Sequence, residues 1–295
     1  MVYSSKKEGE AFMEEIVKYQ NEMNRLSFRK FTQVDMNIFF MLCAQLKEKG
    51  SSEVTLTYSE IKRAIKFASN ETGKDFIKRI DDIGENILDI KGKIRTDSSN
   101  IRFNLFRKFE NNFTEKKLIV AVDEEYVWLL NEMTNYTTFE LDEFVNLKSK
   151  YSKNLFRLLK QWRTQGKFIF YDLDEFRDLM DIPMSYKNKT MMTNIIKPSI
   201  DEICEKEKSF KGLTCTPRYS ESRRGRPLES LEFTWQAEIS TFIPAETVED
   251  EKKPKKRTTK STKTKSPIKN FSDRDDELSE EDKEFIRQKV QEGMK

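Results

Sequence analysis

The sequence contains no histidine, and this absence excludes several kinds of chemistry at once. Hydrolases of the triad type need a histidine base, and most catalytic zinc sites need histidine ligands. Nucleases that hold their metal through a histidine pair are excluded for the same reason. No GxxxxGK[ST] sequence occurs, so nucleotide hydrolysis by a P-loop is excluded as well. We therefore predict that the protein is not an enzyme.

Cysteine is scarce, and long apolar runs are missing. Cys43, Cys204 and Cys215 form no CxxC pair and match no zinc or redox spacing. Each lies in an apolar-patterned segment, which predicts buried free thiols and an intracellular compartment. The first residues lack the apolar core of a signal peptide, and no run approaches the ~20 apolar residues of a membrane span. We expect a cytoplasmic protein with no membrane partner, no metal and no cofactor.

The composition favours two small domains over one large core. The chain has 295 residues, and one domain usually takes about 100–200. Hydrophobic residues make up 36% of the chain, which is low for one large core, and charged residues also make up 36%, which is high. This combination fits two small domains with solvated extensions. The 22 phenylalanines allow the cores to rely on aromatic burial. Because the net charge is only +3, DNA binding has to be argued from local clusters.

The first half of the chain alternates between helical and strand patterns. Apolar spacing predicts helices over 8–26, 33–48 and 74–89. Thr57 and Glu60 form a capping-box pattern that predicts a further helix after a short strand, Val54–Leu56. Other strands are predicted at Lys93–Thr96, Asn100–Phe109 and Lys117–Val122, with a short helix or connector over 123–133. This order of elements is typical of a winged helix.

A similar order recurs in the second half without any repeat of the letters. Helices are predicted at Phe139–Leu147, Ser152–Thr164, Asp172–Met180 and 188–206, and strands at Lys167–Tyr171, Leu213–Tyr219 and Leu228–Trp235. Pro198 lies inside the 188–206 helix and predicts a kink there. The predicted fold class is therefore α+β, with two tandem winged-helix domains over residues 1–133 and 134–240.

The composition changes after residue 240. Residues 252–269 carry nine Lys or Arg and no acid among Thr, Ser and Pro. Such a segment buries too little apolar surface to fold, so we assign 241–277 to a disordered basic linker. Residues 278–295 form a predicted short terminal helix with Ser279 as its N-cap. The linker either adds salt-dependent, non-specific DNA affinity or is a solvated spacer. The terminal helix is a candidate for contact with a partner.

Two clusters in the second domain favour DNA binding. Arg223, Arg224 and Arg226 lie with no acid at the tip of the predicted hairpin, where a wing would cross a phosphate backbone, and Arg218 lies nearby. The start of the 188–206 helix has residues suited to base edges and phosphates, namely Lys187, Asn188, Lys189, Thr193, Asn194 and Lys197. The alternatives are a solvated hairpin tip and a solvated first helical turn.

Two further basic clusters are candidates for phosphate contact. Around the start of the 152–164 helix lie Lys148, Lys150, Lys153 and Arg157. The helix of the first domain that corresponds to the 188–206 helix carries Lys74, Lys78 and Arg79. Aspartates at 75, 81 and 82 dilute the charge of this second cluster. Ordinary surface charge is therefore an equal alternative there.

Five stretches of the chain resemble the signature of a known family. They are Tyr151–Arg163 followed by Gly166-Lys167-Phe168, Phe176–Pro183, Ile196–Ile203, the Arg-Arg-Gly-Arg wing, and Leu231–Thr234. The family is that of theta-type plasmid replication initiators, which bind directly repeated origin sites called iterons. The resemblance covers about residues 20–236 and does not extend to the tail.

The resemblance implies a function. Members of this family have two winged helices that bind double-stranded DNA at the direct repeats of a plasmid origin. The second domain makes most base contacts, and the first adds DNA contacts and dimerisation. The resemblance implies a homodimer in equilibrium with an initiating monomer, opening of AT-rich DNA, and recruitment of the host initiator and replicative helicase. Met192, Thr193 and Asn194 fall where the family places base-reading residues, although the family often has arginines there.

Two other functions are alternatives to replication initiation. A transcriptional repressor, acting on its own or another promoter, would use the same two domains. A nuclease or primase is disfavoured because histidine and a compact acidic cluster are both missing. Direct repeats beside the gene would indicate an initiator, whereas a single inverted repeat would indicate a repressor.

Overall fold

The computed structural model describes residues 16–67, 73–95, 100–131, 135–206, 209–221 and 226–238. The predicted basic linker and terminal helix lie outside these ranges, as do Arg223 and Arg224. In the described part, no helix is long and apolar enough to cross a membrane. Nor do those residues include a group of three or more acidic or cysteine side chains placed to hold a metal ion.

The first half of the chain folds as a winged helix. Its strands are β1 (Ile16–Gln20), β2 (Val54–Thr57), β3 (Lys91–Arg95), β4 (Asn100–Asn104), β5 (Phe106–Asn112) and β6 (Lys117–Val122). Its helices are α1 (Gln33–Leu46), α2 (Tyr58–Ala64), α3 (Gly73–Leu88) and α4 (Trp128–Asn131), with 3-10 turns at Asn21–Arg25 and Glu124–Tyr126. β6 pairs antiparallel with both β2 and β5, and β3 pairs with β4. The predicted capping box of Thr57 and Glu60 starts α2, as expected.

The second half repeats this plan. It contains β7 (Tyr136–Glu140), α5 (Leu141–Asn146), α6 (Lys150–Lys160), β8 (Lys167–Phe170), α7 (Leu173–Leu179), α8 (Asn188–Met191), α9 (Lys197–Lys206), β9 (Thr214–Tyr219) and β10 (Leu228–Thr234). A π-helical turn, Met192–Ile196, joins α8 to α9. β10 lies between β8 and β9 in an antiparallel sheet. The prediction of two winged helices in a mixed helix-and-strand fold is confirmed.

The prediction of a helix over 8–26 is wrong for the described residues. Residues 16–20 form β1, which pairs antiparallel with β7 in the register Ile16 to Glu140. Val17 and Tyr19 are buried and Ile16 and Lys18 are not, which is the alternation of a strand with one buried face. Helical spacing of apolar residues suggested a helix, but pairing with a strand far along the chain satisfies the backbone instead.

Three smaller predictions also need correction. The single strand predicted over Asn100–Phe109 is two strands, because β4 pairs with β3 whereas β5 pairs with β6. The helix predicted from Phe139 begins at Leu141, since residues 139 and 140 belong to β7. Cys43 is buried and Cys215 is half-buried, but Cys204 is exposed on α9. Burial raises the pKa of the Cys215 thiol to about 12.

Aromatic side chains hold the two halves together. The ring of Phe40 on α1 lies 4.6 Å from that of Phe144 on α5, measured between centroids. The ring of Phe139 on β7 lies 5.8 Å from that of Phe40 and 6.1 Å from that of Tyr19 on β1. Edge-to-face pairs of this kind contribute about 0.5–1.5 kcal/mol each beyond the buried area. The abundance of phenylalanine therefore gives one continuous core across both halves.

Gly84 provides a test of packing in the first winged helix. It is buried in α3, and a β-carbon there would lie 2.6 Å from two ring carbons of Phe109 on β5. Overpacking at Gly84→Ala costs about 1–3 kcal/mol, and the gain in helix propensity offsets ~1 kcal/mol of this, so we expect the free energy of unfolding to fall by up to about 2 kcal/mol. Urea unfolding measures this change. Glu85→Ala, at the neighbouring exposed position, is the control and should change stability little; a stabilised Gly84→Ala protein would contradict the close approach.

Candidate nucleic-acid interface

The second half contains a helix-turn-helix made of α7 and the continuous helix that runs from α8 through α9. Asp172 caps α7, because its carboxylate accepts hydrogen bonds from the backbone of Asp174 and Glu175 at 3.0 and 2.9 Å. The helix ends with Asp181 in the left-handed region at φ 55°, and Ile182 N donates to Arg177 O at 2.8 Å. We call the helix over residues 188–206 the recognition helix.

The recognition helix exposes most of the predicted DNA-contacting residues in its first half. Lys187, Asn188, Lys189, Thr193, Asn194 and Lys197 are exposed, and Met192 is half-buried. Met191, Ile195, Ile196 and Ile203 face the core instead. The Thr193 hydroxyl lies 3.0 Å from the carbonyl oxygen of Lys189 and 2.8 Å from the side-chain oxygen of Asn194. Local hydrogen bonds therefore order the two side chains best suited to a base edge.

Arg177 is a positioning residue that the sequence analysis missed. It is buried on α7, and its Nη2 donates to Asn188 Oδ1 at 2.8 Å while its Nη1 donates to Pro183 O at 3.4 Å. Because Asn188 Oδ1 accepts this bond, the amide nitrogen of Asn188 is the group available to an outside partner. No local pattern around Arg177 indicates this role, because its two partners are brought to it by the fold.

The predicted wing is the hairpin of β9 and β10, closed by Ser220 N donating to Pro227 O at 2.9 Å. Arg226 is exposed at its end, with φ 43°. Arg218 is engaged within the protein, because its guanidinium pairs with Glu232, which also pairs with Lys167. Burial raises the pKa of the Glu232 carboxyl, but the hydrogen bonds and charges of Lys167 and Arg218 outweigh this and hold the pKa below its usual value.

The predicted phosphate clamp around the start of α6 needs correction. Lys153 is fully buried, where its Nζ donates to Phe144 O and lies 4.5 Å from the centroid of the Phe144 ring. The carboxylate of Glu202 already accepts hydrogen bonds from the backbone of Lys148 and Ser149, at 2.5 and 3.2 Å. An anion of the protein itself therefore occupies this helix start. The side chain of Lys148 remains exposed.

Arg157, the fourth member of that cluster, is also buried and serves the core. Its guanidinium donates to Asn24 O at 2.7 Å, Leu26 O at 3.1 Å and Leu179 O at 3.3 Å, and its Nε donates to Asn154 Oδ1 at 3.0 Å. Burial lowers the pKa of the Arg157 guanidinium. α6 lies at the centre of the molecule, so basic residues on its inner face bind carbonyls of the protein instead of phosphates.

Asp181 extends this buried network to the turn before the recognition helix. Its carboxylate accepts hydrogen bonds from Ser27 Oγ at 2.9 Å, Phe28 N at 3.2 Å and Asn154 Nδ2 at 3.2 Å. Arg29 makes an exposed ion pair with Asp178 in the same turn at 2.6 Å. The segment 24–29 of the first half is thereby fixed directly to the helix-turn-helix of the second half.

The basic residues of α3 lie in a mixed environment. Lys74 and Lys78 are exposed, and the guanidinium carbon of Arg79, which is half-buried, lies 5.8 Å from the centroid of the Phe67 ring. Lys74 also lines a cleft of about 710 Å³ together with Tyr58, Ser59, Lys62, Gly73, Phe76, Ile77 and Lys116. Exposed aspartates at 75, 81 and 82 lie on the same helix. The first winged helix therefore presents less uniform positive charge than the recognition helix.

Comparison with known protein families identifies the family of the two winged helices. Residues 16–160 match the model described as "Initiator Replication protein, WH1", and residues 172–235 match the model described as "Initiator Rep protein, WH2". The chain belongs to the replication initiator family. Both halves of this initiator are therefore winged helices of one family.

Two similar proteins support this assignment. The initiator is 29% identical over 237 residues to a protein of Bifidobacterium longum (strain NCC 2705) described as "Probable replication protein rep". That match covers 79% of this chain and 77% of the relative. The crystal structure of the Pi initiator protein in complex with iteron DNA superposes with a TM-score of 0.59 at 17% identity, covering 77% of this chain and 98% of that one. At this identity the second match shows the fold alone.

Proposed function

We propose that this initiator binds directly repeated DNA at a plasmid origin and acts by binding, without catalysis. The observation that carries the proposal is the exposed side of the recognition helix. Between Lys187 and Lys197 it has three lysines and no acidic residue, interleaved with Asn188, Thr193 and Asn194. Such a surface is suited to phosphates at its edges and base edges at its centre. The Pi initiator was crystallised with iteron DNA, and we propose the same kind of site for this protein.

We assign the main base contacts to the second winged helix and auxiliary DNA contacts to the first. Support comes from charge, since α3 exposes aspartates beside Lys74 and Lys78 whereas the recognition helix exposes none before Asp201. We keep the proposed domain boundary between residues 133 and 134. The first family match continues past this boundary to residue 160, and β7, just after it, pairs with β1 of the first half, so the two domains share a sheet across it.

We further propose the steps that follow binding. Occupied repeats would strain adjacent AT-rich duplex and recruit the host initiator and replicative helicase, with the segment 278–295 as the candidate contact. A homodimer formed through the first winged helix would be in equilibrium with the initiating monomer and would repress its own promoter. The basic segment 241–277 and the arginines at 223 and 224 would add phosphate contacts.

An electrophoretic shift experiment on origin DNA tests the proposed function. The initiator is titrated onto duplexes that carry one, two, three or more copies of the direct repeat found beside its gene. We expect one additional complex for each added copy, because each repeat is an independent site. Scrambled DNA of the same length is the control. Binding to a single inverted repeat, with no ladder on direct repeats, would favour the repressor instead.

Asn194→Ala and Lys197→Ala form a matched pair that separates base contact from phosphate contact. Asparagine pairs well with adenine, so we expect Asn194→Ala to reduce discrimination at one base position by about 1–3 kcal/mol. Lys197→Ala should instead weaken binding to all sequences and lower the salt slope by about one. Competition binding with single-base variants at several salt concentrations measures both. Uniform loss of affinity for Asn194→Ala would contradict its proposed base contact.

A further inference from the structure

The recognition helix is not a regular α-helix. Its middle, Met192–Ile196, is a π-helical turn between α8 and α9. The backbone N–H of Lys197 donates to Met192 O, five residues earlier, and that of Met192 donates to both Asn188 O and Lys189 O. Single π turns inside α-helices are uncommon and occur frequently at functional sites. Here the turn contains Thr193 and Asn194, the exposed residues proposed to contact bases.

Pro198 explains why the turn is wide. A proline has no N–H to donate, and in a regular α-helix its ring would overlap the carbonyl of the residue four positions earlier, which is Asn194. Adding one residue to the preceding turn moves that carbonyl away from the ring. The sequence prediction of a kink at Pro198 is thus replaced by a more specific structure, a π turn.

The π turn also keeps the two ends of the helix in phase. Met191, Ile195, Ser199 and Ile203 are all buried and recur every fourth residue. A regular α-helix overshoots a full turn by about 40° at each such step, so this buried row would drift by about 120° over three steps. One extra residue in the π turn offsets about 100° of that rotation. The buried row therefore stays on one side of the helix.

We infer that Pro198 determines DNA sequence specificity by holding the π turn that aims Thr193 and Asn194. Pro198 is a positioning residue, since the bases are contacted by other side chains. In a regular helix the residues before the turn would rotate by about 100° relative to those after it. As α9 is anchored through Ser199 and Ile203, this rotation would fall on the segment proposed to enter the DNA groove, and it would also turn Met191 away from its buried position. The inference rests on the proposed function.

Pro198→Ala tests the inference in the full-length initiator. The wild-type protein and the variant each select duplexes from a randomised library over several rounds. We expect the variant to enrich a different or degenerate sequence and to lose at least tenfold discrimination against single-base variants of the wild-type site. Its salt slope should stay unchanged, because the lysines remain. Glu205→Ala, at an exposed position of α9 beyond the contact residues 187–197, is the matched control and should enrich the wild-type sequence.

A second measurement does not depend on DNA. Scalar couplings across hydrogen bonds, measured by NMR, report which carbonyl accepts from Lys197 N–H. We expect the acceptor to be Met192 O in the wild-type protein and Thr193 O in Pro198→Ala. Pro198→Ser is a second variant that restores the N–H at position 198. If the variants keep the bond to Met192, or enrich the wild-type sequence with full discrimination, the inference is overturned while the proposed function stands. If the wild-type protein enriches no sequence, the proposed function fails, and the inference with it.

Discussion

Arg157→Ala lowers the free energy of unfolding by about 3–5 kcal/mol, the cost typical of removing one partner from a buried charged network. The side chain is fully buried, and its loss leaves the carbonyls of Asn24, Leu26 and Leu179 without their donor. A cavity on the scale of the side chain adds to this loss. Urea unfolding, followed by circular dichroism and tryptophan fluorescence, measures the change.

Arg29→Ala is the matched control for that experiment. Arg29 lies 2.6 Å from Asp178 and 3.8 Å from Asp181 Oδ1, but its own side chain is 57% exposed. Exposed ion pairs contribute about 0–1 kcal/mol, so the control should unfold close to the wild-type protein. Arg157→Lys tests whether the planar shape of the guanidinium matters, because an ammonium cannot donate to several carbonyls in the same arrangement. A loss for Arg157→Ala as small as the 0–1 kcal/mol expected for the control would contradict a structural role for Arg157.

Asp181→Ala has the second largest expected effect, and it acts on both stability and DNA binding. We expect a loss of about 2–4 kcal/mol, since Phe28 N–H loses its acceptor and alanine tolerates the left-handed conformation at φ 55° poorly. The turn before the recognition helix is then no longer fixed to segment 24–29. Affinity for the selected DNA site should fall even under conditions in which the variant is folded.

Asp178→Ala and Asp181→Asn are the controls for this variant. Asp178 lies in the same turn, but its side chain is 71% exposed and its ion pair is with Arg29. Asp181→Asn keeps one acceptor and tolerates the left-handed region, so it should retain part of the stability. Unfolding and DNA binding are measured on the same preparations. A destabilised Asp181→Ala protein with wild-type DNA affinity would show that the network does not position the recognition helix.

The sequence predicted the elements that depend on local pattern. α1, α3, α6 and α7 follow from apolar residues at helical spacing, and Thr57 starts its helix as the capping-box pattern indicated. The hairpin of β9 and β10 follows from two apolar strands around a polar turn. Each of these signals lies within a few residues of the element it describes, which is why sequence reasoning found them.

The features that the sequence could not predict depend on residues far along the chain. β1 is a strand because Tyr136–Glu140 pairs with it, and the spacing of its own apolar residues fits a helix as well. The burial of Lys153 and Arg157 follows from carbonyls supplied by Phe144, Asn24 and Leu26. In the site, exposure of Thr193 and Asn194 was predictable, whereas the support of Asn188 by Arg177 and the π turn were not.

The pairing of β1 with β7 has a consequence for how the protein is synthesised. β1 has no partner until Tyr136–Glu140 has emerged from the ribosome. At about 5–20 residues per second, this wait is on the order of ten seconds. During that time β1 presents an unpaired strand edge, with Val17 and Tyr19 not yet buried, and such edges are open to wrong pairing. A slow stretch of codons translated once β7 has left the ribosome would let this late closure finish before the recognition helix emerges.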